Sequence, residues 1–164
     1  SGIRRNPDNK PSYVEEVYPL SSLKTCLKES DIVAACLPGY SETVKVFDAE
    51  AFSAMKAGSY FINVGRGTAV DTEALCDALE SGHLAGAALD VTDPEPLPSS
   101  HRLWNMPNVL ITPHVSGGYH ARVTHDRIID IAAENLRRLV KGEKFTNLVD
   151  MSTGYRKTMG DAHK

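Results

Sequence analysis

The chain has 164 residues, of which 41% are hydrophobic, and its 18 basic and 21 acidic side chains give a formal net charge of −3. This length and composition suit one well-cored domain rather than two, and no apolar run approaches the roughly 20 residues that a membrane-crossing helix needs. The Lys and Arg residues are scattered along the chain, so nothing resembles a basic face for nucleic acid.

The first elements along the chain are a loop, a short helix and a strand. Residues 1–19 are polar and interrupted by proline, without a sustained period, which predicts a loop that leaves a strand. Ser21 and Ser22 are candidate N-caps of a short helix that ends near Ser30. The continuous apolar run 32–37 predicts a strand buried on both faces, because its hydrophobic residues do not alternate with polar ones.

The helix and strand patterns then repeat twice. A helix is predicted around 48–55, and a strand is predicted over 60–64, where a Gly-Arg-Gly sequence at 65–67 ends it. Asp71 can cap the next helix, and Gly82 occupies the position at which a left-handed residue commonly ends one. Residues 87–91 form the next predicted strand.

The last predicted elements are a strand and a long helix. A proline-rich loop leads to a strand over 109–112, and the helix follows from about Tyr119 to Lys141. Short unalternating strands separated by amphipathic helices predict a doubly wound, Rossmann-like parallel α/β sheet with helices on both faces. The apolar stripe of the long helix consists of Ile128, Ala132, Leu136 and Leu139.

Polar and charged residues directly follow the predicted strands. They are Pro38-Gly39, Arg66, the segment 90–95 and His114. In open parallel sheets, ligands bind beyond the carboxyl ends of the strands. A cation, a carboxylate and an imidazole are therefore expected at one edge of the sheet.

Several of these residues lie in segments that resemble a known family. The segments occur in the same order and at similar spacing in the D-isomer-specific 2-hydroxyacid dehydrogenases, and the resemblance extends from Gly2 to about Asp150. The final part, with Gly142-Glu143 and Val149-Asp150, is similar to the glyoxylate/hydroxypyruvate reductase branch. The matching segments are 63–67 (NVGRG), 86–91 (GAALDV), 95–98 (EPLP) and 112–114 (TPH).

The resemblance implies an oxidoreductase that passes a hydride between NAD(P)H and a small 2-keto acid. His114 would donate the proton, Glu95 would stabilise the imidazolium, and Arg66 would pair with the substrate carboxylate. Asp90 resembles the residue that contacts the nicotinamide carboxamide. The cofactor-binding residues expected from this comparison are Arg4, Arg5, Leu37, Pro38, Thr43, Val64, Gly65, Arg66, Asp90, His114 and Gly117.

The choice of coenzyme depends on the opening segment. Arg4 and Arg5 suit the 2′-phosphate of NADP, which we favour over NAD, although a solvated surface pair is the alternative reading. No G-x-G-x-x-G turn occurs in the chain, so we expect a fragment that lacks the first βαβ portion and binds cofactor weakly. Its expected parts are 1–115 of the dinucleotide-binding domain, 116–150 leading to a substrate domain, and a polar tail 151–164.

Each catalytic assignment has a structural alternative. His114 could be an ordinary surface or core histidine, Arg66 a turn residue and Glu95 a solvated loop acid. A metal site is rejected because neither H-x-x-x-H nor C-x-x-C spacing occurs. The other histidines match no family segment and are interpreted as structural: His83, His101, His120, His125 and His163.

A second class of function is a non-catalytic binding module, similar to the corepressors of this fold that use nucleotide to promote assembly. The short polar ending 151–164 disfavours it, because no extended motif-binding tail follows. Formate oxidation is disfavoured by Glu95, where that branch resembles Gln. An odd count of three cysteines and a charged opening without an apolar signal segment favour the cytoplasm, and a homodimer is expected from the resemblance.

Overall fold

The computed structural model of the chain describes residues 1–5, 7–8, 10–117 and 121–151. The chain divides into two units, Ser1–Ser116 and Gly117–Lys164. The strands are β1 (Gly2–Ile3), β2 (Val17–Tyr18), β3 (Ile32–Ala35), β4 (Ser59–Asn63), β5 (Leu84–Leu89) and β6 (Val109–Ile111). The α-helices are α1 (Leu23–Glu29), α2 (Ala49–Ala54), α3 (Thr72–Glu80) and α4 (Arg122–Lys141).

The first unit contains a parallel sheet of four strands in the order β3-β4-β5-β6. The register pairs Ala35 with Asn63, Asn63 with Leu89, and Leu89 with Ile111, so the four strands end at one edge. Helices α2 and α3 provide successive crossovers between parallel strands. This arrangement confirms the predicted parallel α/β fold and brings the residues that follow each strand to a common edge.

One face of this sheet packs against the helices and forms the core. Phe61 of β4 is fully buried and meets the rings of Phe47 and Phe52, with ring centroids 4.9 and 5.2 Å apart. Leu27 of α1 and Leu75 of α3 belong to the same buried cluster. Burial of these apolar side chains is the main force that holds the helices on the sheet.

The prediction that β3 is buried on both faces is wrong, because the opposite face of the sheet is exposed. Ile32, Tyr60 and Leu110 lie on this face and are 62%, 51% and 63% exposed. The helices α1–α3 pack against the other face, so in the described part of the first unit this one is uncovered. An apolar run indicates that a strand tolerates burial on both faces. Whether both faces are covered depends on helices from other parts of the chain, which the run itself does not reveal.

The opening segment also differs from its prediction. Residues 1–19 contain β1 and β2, which pair in parallel, whereas a loop without strands was predicted. Strands of two residues are too short to produce a visible period. Ser22 occupies the N-cap position of α1, but its side chain makes no capping hydrogen bond, because its φ of −92° and ψ of 8° depart from the extended conformation of a capping residue.

The predicted cap of α3, Asp71, is confirmed, and Asp48 caps α2 without having been predicted to do so. Asp48 accepts a hydrogen bond from the backbone N–H of Ala51, and Asp71 accepts one from Ala74. Gly82 has a φ of +74°, the left-handed conformation that glycine adopts most easily. The strand expected over 87–91 begins and ends earlier, as β5, which leaves Asp90 just beyond the strand.

The second unit contains α4, which ends at Gly142 with a φ of +68°. Its expected start at Tyr119 lies outside the described residues. The predicted apolar stripe is exposed, with Leu136 at 62% and Leu139 at 60%. Within the described part of the chain, no helix combines the length and apolar character needed to span a membrane.

Candidate active site

The carboxyl edge of the sheet carries two turns that hold the predicted catalytic side chains. The Arg66 turn (residues 64–67) follows β4, and the His114 turn (residues 112–116) follows β6. Between these strands lies β5, which Asp90 and the loop with Glu95 follow. All of these residues belong to the first unit.

The two glycines of the Arg66 turn are required by close packing. A Cβ atom on Gly65 would lie 2.5 Å from the carbonyl oxygen of Leu37, and one on Gly67 would lie 1.9 Å from that of Thr92. Both distances are far below van der Waals contact, and the neighbouring atoms are backbone. The two glycines therefore let the backbone near Leu37 and the backbone near Thr92 approach the turn on either side of Arg66. Any residue with a Cβ atom at position 65 or 67 would prevent this approach.

The Arg66 side chain is exposed and available for an anion. Its Nη1 donates a hydrogen bond to the Gly65 carbonyl at 2.8 Å. Among the described residues it forms no ion pair, in contrast to Arg102, whose guanidinium is bound by Glu73, Asp77 and Glu80. A guanidinium without a carboxylate partner at a strand edge is well suited to bind the carboxylate of a ligand.

The His114 turn is held by the buried carboxylate of Asp90. Asp90 is 5% exposed, and its Oδ1 accepts hydrogen bonds from the Thr112 hydroxyl at 2.5 Å and from Val115 N–H at 2.9 Å. Its Oδ2 accepts one from Ser116 N–H at 2.8 Å. Burial by itself would raise the pKa of Asp90, but these hydrogen bonds outweigh burial and hold the pKa below its ordinary value. Asp90 therefore stays ionised and fastens the turn.

His114 and Glu95 form a close pair, as the sequence predicts for a proton-donating dyad. His114 Nδ1 lies 2.6 Å from Glu95 Oε1, while Glu95 Oε2 accepts a 3.4 Å hydrogen bond from Thr92 N–H. A carboxylate can only accept, so Nδ1 carries the hydrogen in this pair and Nε2 is left for another partner. The backbone of His114 has a φ of +55°, a conformation uncommon for a residue with a side chain.

A cavity of about 380 Å³ lies beside this pair. Glu95, His114 and Asp90 contribute polar atoms to its wall, and Trp104 and Ile111 contribute apolar surface. An imidazole, a carboxylate and apolar surface around one cavity can hold a small polar molecule that has a short apolar part.

The expected cofactor residues after β3 form a self-contained turn. Thr43 is buried, and its hydroxyl donates to the Pro38 carbonyl at 2.6 Å and accepts from Tyr40 N–H at 3.0 Å. The Thr43 side chain therefore shapes the turn rather than facing solvent. Leu37 and Pro38 are half-buried, and Val64 is exposed at the same edge.

The two predicted phosphate-binding cations lie at the end of β1. Arg4 N–H donates to the Tyr18 carbonyl at 3.0 Å, and Arg5 Nη2 lies 3.0 Å from Glu42 Oε2 in an exposed ion pair. The charge of Arg5 is thus partly balanced within the protein. Gly117, the last expected cofactor residue, begins the second unit and is described with that unit alone.

Two of the remaining histidines have structural contacts. His83 Nε2 lies 3.1 Å from the Phe52 carbonyl, and His101 Nδ1 accepts from Leu103 N–H at 3.2 Å. His120 and His163 lie outside the described residues. No group of three or more His, Cys, Asp or Glu side chains suited to a metal ion occurs in the described ranges, and the three cysteines are unpaired.

Sequence reasoning missed the residues that fix the two turns. It named Asp90 for the cofactor but did not predict its bonds to the His114 turn, and it gave no role to Thr112 or to Asn63, whose buried amide bonds to the Arg66 turn. A usable signal was present, because Asn63 is a polar residue at the end of an apolar strand, directly before the Gly-Arg-Gly segment.

Known proteins match both the sequence and the fold. Residues 2–116 match the model of the family described as D-isomer specific 2-hydroxyacid dehydrogenase, NAD binding domain. The chain is 43% identical to a glyoxylate reductase from Thermofilum pendens, over 84% of this chain and 41% of that protein. It is 41% identical to glyoxylate/hydroxypyruvate reductase B from Escherichia fergusonii, over 78% of this chain and 39% of that protein. The chain thus spans less than half the length of the curated relatives that it matches.

Two solved structures are similar at the level of the fold. A D-isomer specific 2-hydroxyacid dehydrogenase from Xanthobacter autotrophicus, in complex with NADPH and MES, has a TM-score of 0.77 and 41% identity, and the match covers 89% of this chain and 60% of that one. An NADPH-dependent glyoxylate/hydroxypyruvate reductase from Sinorhizobium meliloti, in complex with NADP and sulfate, has a TM-score of 0.79 and 30% identity. That match covers 94% of this chain and 48% of the reductase.

Proposed function

This chain belongs to the D-isomer-specific 2-hydroxyacid dehydrogenase family, and we propose that the full-length protein reduces a small 2-keto acid of the glyoxylate or hydroxypyruvate type. The observation that carries the proposal is the pair of His114 Nδ1 and Glu95 Oε1 at 2.6 Å, next to a strand edge that also presents Arg66. The names of the relatives support the substrate class.

The reaction needs a hydride at the carbonyl carbon and a proton at the carbonyl oxygen. When bound, NAD(P)H would supply the hydride, with its electron pair, for the new C–H bond. His114 donates its Nε2 proton to the oxygen as the C=O bond becomes a C–OH bond, and Glu95 stabilises the imidazolium before transfer. Arg66 binds the substrate carboxylate and orients the carbonyl carbon, since its planar fork matches two carboxylate oxygens.

The residues at the edge fit a nicotinamide dinucleotide. Leu37 and Val64 provide apolar surface where the strands end, and Arg4 and Arg5 provide positive charge at the end of β1. Parallel α/β sheets bind dinucleotides at this edge. The apolar surface suits the nicotinamide ring, and the two arginines suit the phosphorylated adenosine ribose of NADP.

Replacement of His114 by Ala tests the function directly. We expect turnover of glyoxylate to fall about a hundredfold or more, with little change in coenzyme affinity, because the imidazole acts on the reacting oxygen. The matched control is His83→Gln, which removes an imidazole from backbone carbonyls of α2 and should leave turnover near that of the wild type. A His114→Ala enzyme with unchanged turnover would refute the proposed acid.

NADP is the proposed coenzyme, supported by Arg4 and Arg5. The Arg5–Glu42 ion pair is exposed, and such pairs contribute only about 0–1 kcal/mol, so a 2′-phosphate can displace Glu42. Replacing both arginines by Ala removes a charge-assisted contact worth ~1.5–3 kcal/mol, which corresponds to a ten- to hundredfold rise in KM for NADPH relative to NADH. Lys10→Ala removes a neighbouring cation and serves as the control. Equal changes for both coenzymes would refute the assignment.

The assembly and location of the protein are further proposals. Membership of a dehydrogenase family supports a homodimer, and the three unpaired cysteines support the cytoplasm. Light scattering of the full-length protein tests the first proposal, and cell fractionation tests the second.

A further inference from the structure

Asn63, the last residue of β4, has a buried side chain that bonds to the turn immediately after it. The side chain is among the largest fully buried ones, with 1% of its surface exposed. Its Oδ1 accepts a hydrogen bond from Gly65 N–H at 3.0 Å, and its Nδ2 donates one to the Arg66 carbonyl at 3.0 Å. One amide thus fixes the backbone on both sides of the Arg66 Cα atom.

The backbone of Asn63 connects this turn to the other one. Its carbonyl accepts a hydrogen bond from Asp90 N–H at 2.9 Å, and Asp90 holds the His114 turn through its carboxylate. Asn63 is therefore hydrogen-bonded both to the turn that carries Arg66 and to Asp90, which holds the turn that carries His114.

Only an amide satisfies both partners of this side chain. Aspartate would keep an acceptor for Gly65 N–H but would place a second oxygen against the Arg66 carbonyl. Leucine has a similar size but would leave the N–H and the carbonyl without partners in a buried site, which is unfavourable. The turn cannot recover by shifting, because Gly65 and Gly67 are already in close contact with other backbone segments.

We propose that Asn63 is a positioning residue that sets the direction of the Arg66 guanidinium for the substrate carboxylate. The proposal rests on the proposed reduction of a 2-keto acid and adds to it a residue that does not touch the substrate. Arg66 has no ion pair among the described residues, and its Nη1 donates to the Gly65 carbonyl, so the direction of its guanidinium depends on the backbone of this turn.

A double-mutant cycle in the full-length protein separates positioning from mere support of the fold. Asn63→Leu should raise KM for glyoxylate and lower kcat, with a combined loss of about tenfold or more in kcat/KM and a smaller change in coenzyme affinity. In an Arg66→Lys background, which lacks the planar fork, the same replacement should cost less than about twofold. Equal losses in both backgrounds would overturn the proposal. Asn63→Asp keeps the size and the Gly65 contact but turns an oxygen toward the Arg66 carbonyl, and it should show the same coupling.

Two further measurements complete the test. Hydrogen exchange at the Gly65 amide should accelerate in Asn63→Leu, and unchanged protection there would overturn the proposal whatever the kinetics. The matched control is Asn108→Leu, which removes an amide bond to the Ala85 carbonyl at the opposite edge of the sheet and should alter neither Gly65 exchange nor KM. A wild-type protein that reduces no 2-keto acid would refute the proposed function, whereas an active wild type with unchanged Gly65 exchange in Asn63→Leu refutes the role of Asn63 alone.

Discussion

The Arg66 turn and the His114 turn lie at the same end of the sheet, where β5 separates their strands, but they are held by different forces. Close contacts of Gly65 and Gly67 with other backbone segments, together with the neutral amide of Asn63, fix the first. A buried carboxylate, Asp90, fixes the second through three hydrogen bonds. The first turn depends on shape, and the second depends on charge.

The difference bears on what each turn has to do. Arg66 at the first turn has an ordinary extended backbone, with a φ of −140° and a ψ of 140°, so a neutral and rigid support is sufficient. The imidazole at the second turn projects from a backbone with a φ of +55°, an uncommon conformation that costs on the order of 1–3 kcal/mol and needs strong partners. Charge-assisted hydrogen bonds are the stronger ones available in proteins.

The largest expected effect is on the turn that depends on shape. Gly67→Ala would place a methyl group 1.9 Å from the Thr92 carbonyl oxygen, and the backbone must move to relieve the contact. We expect the free energy of unfolding, measured by urea denaturation, to fall by about 3 kcal/mol or more. Gly2→Ala is the control, since its methyl group would meet only ordinary contacts at 3.6 Å. Comparable stability of the two variants would contradict the role of shape.

A smaller effect is expected from removing the charge at the other turn. Asp90→Asn turns an NH₂ group toward one of the N–H donors, so the free energy of unfolding at pH 7 should fall by about 2 kcal/mol. The pKa of Asp90 is lower in the folded than in the unfolded protein, so its stabilisation is present above the ordinary pKa of about 4 and is lost as the pH falls further. Denaturation curves of both proteins should therefore differ by a constant amount from about pH 5 to 8 and converge in acid. A difference that grows in acid would rule out this charge as the cause.

The smallest effect concerns one donor to that carboxylate. Thr112→Val keeps the shape of the side chain but removes the hydroxyl that lies 2.5 Å from Asp90 Oδ1, which should cost about 1 kcal/mol of unfolding free energy. Thr112→Ser keeps the hydroxyl and should retain most of the stability. If valine and serine gave the same loss, the hydrogen bond would not be what holds Thr112 to Asp90.

The sequence predicted the elements better where their signals are local. The cap Asp71 and the left-handed Gly82 were read from single positions, because each acts on backbone groups within a few residues. The opening strands β1 and β2 were missed, because two-residue strands carry no period. The burial of β3 was overestimated, because an apolar run does not reveal which faces the helices cover.

The sequence by itself determined which residues lie at the carboxyl end of the sheet. The order of elements predicts parallel strands, and consecutive parallel strands end on the same side. Which side chain fastens the His114 turn, and which acid pairs with Arg5, was decided only by the tertiary structure. Asp90 and Val115 are 25 positions apart, and Arg5 and Glu42 are 37 apart. Contacts over such separations depend on the register between strands and on the path of loops, and these are set by the packing of the whole core rather than by any local pattern.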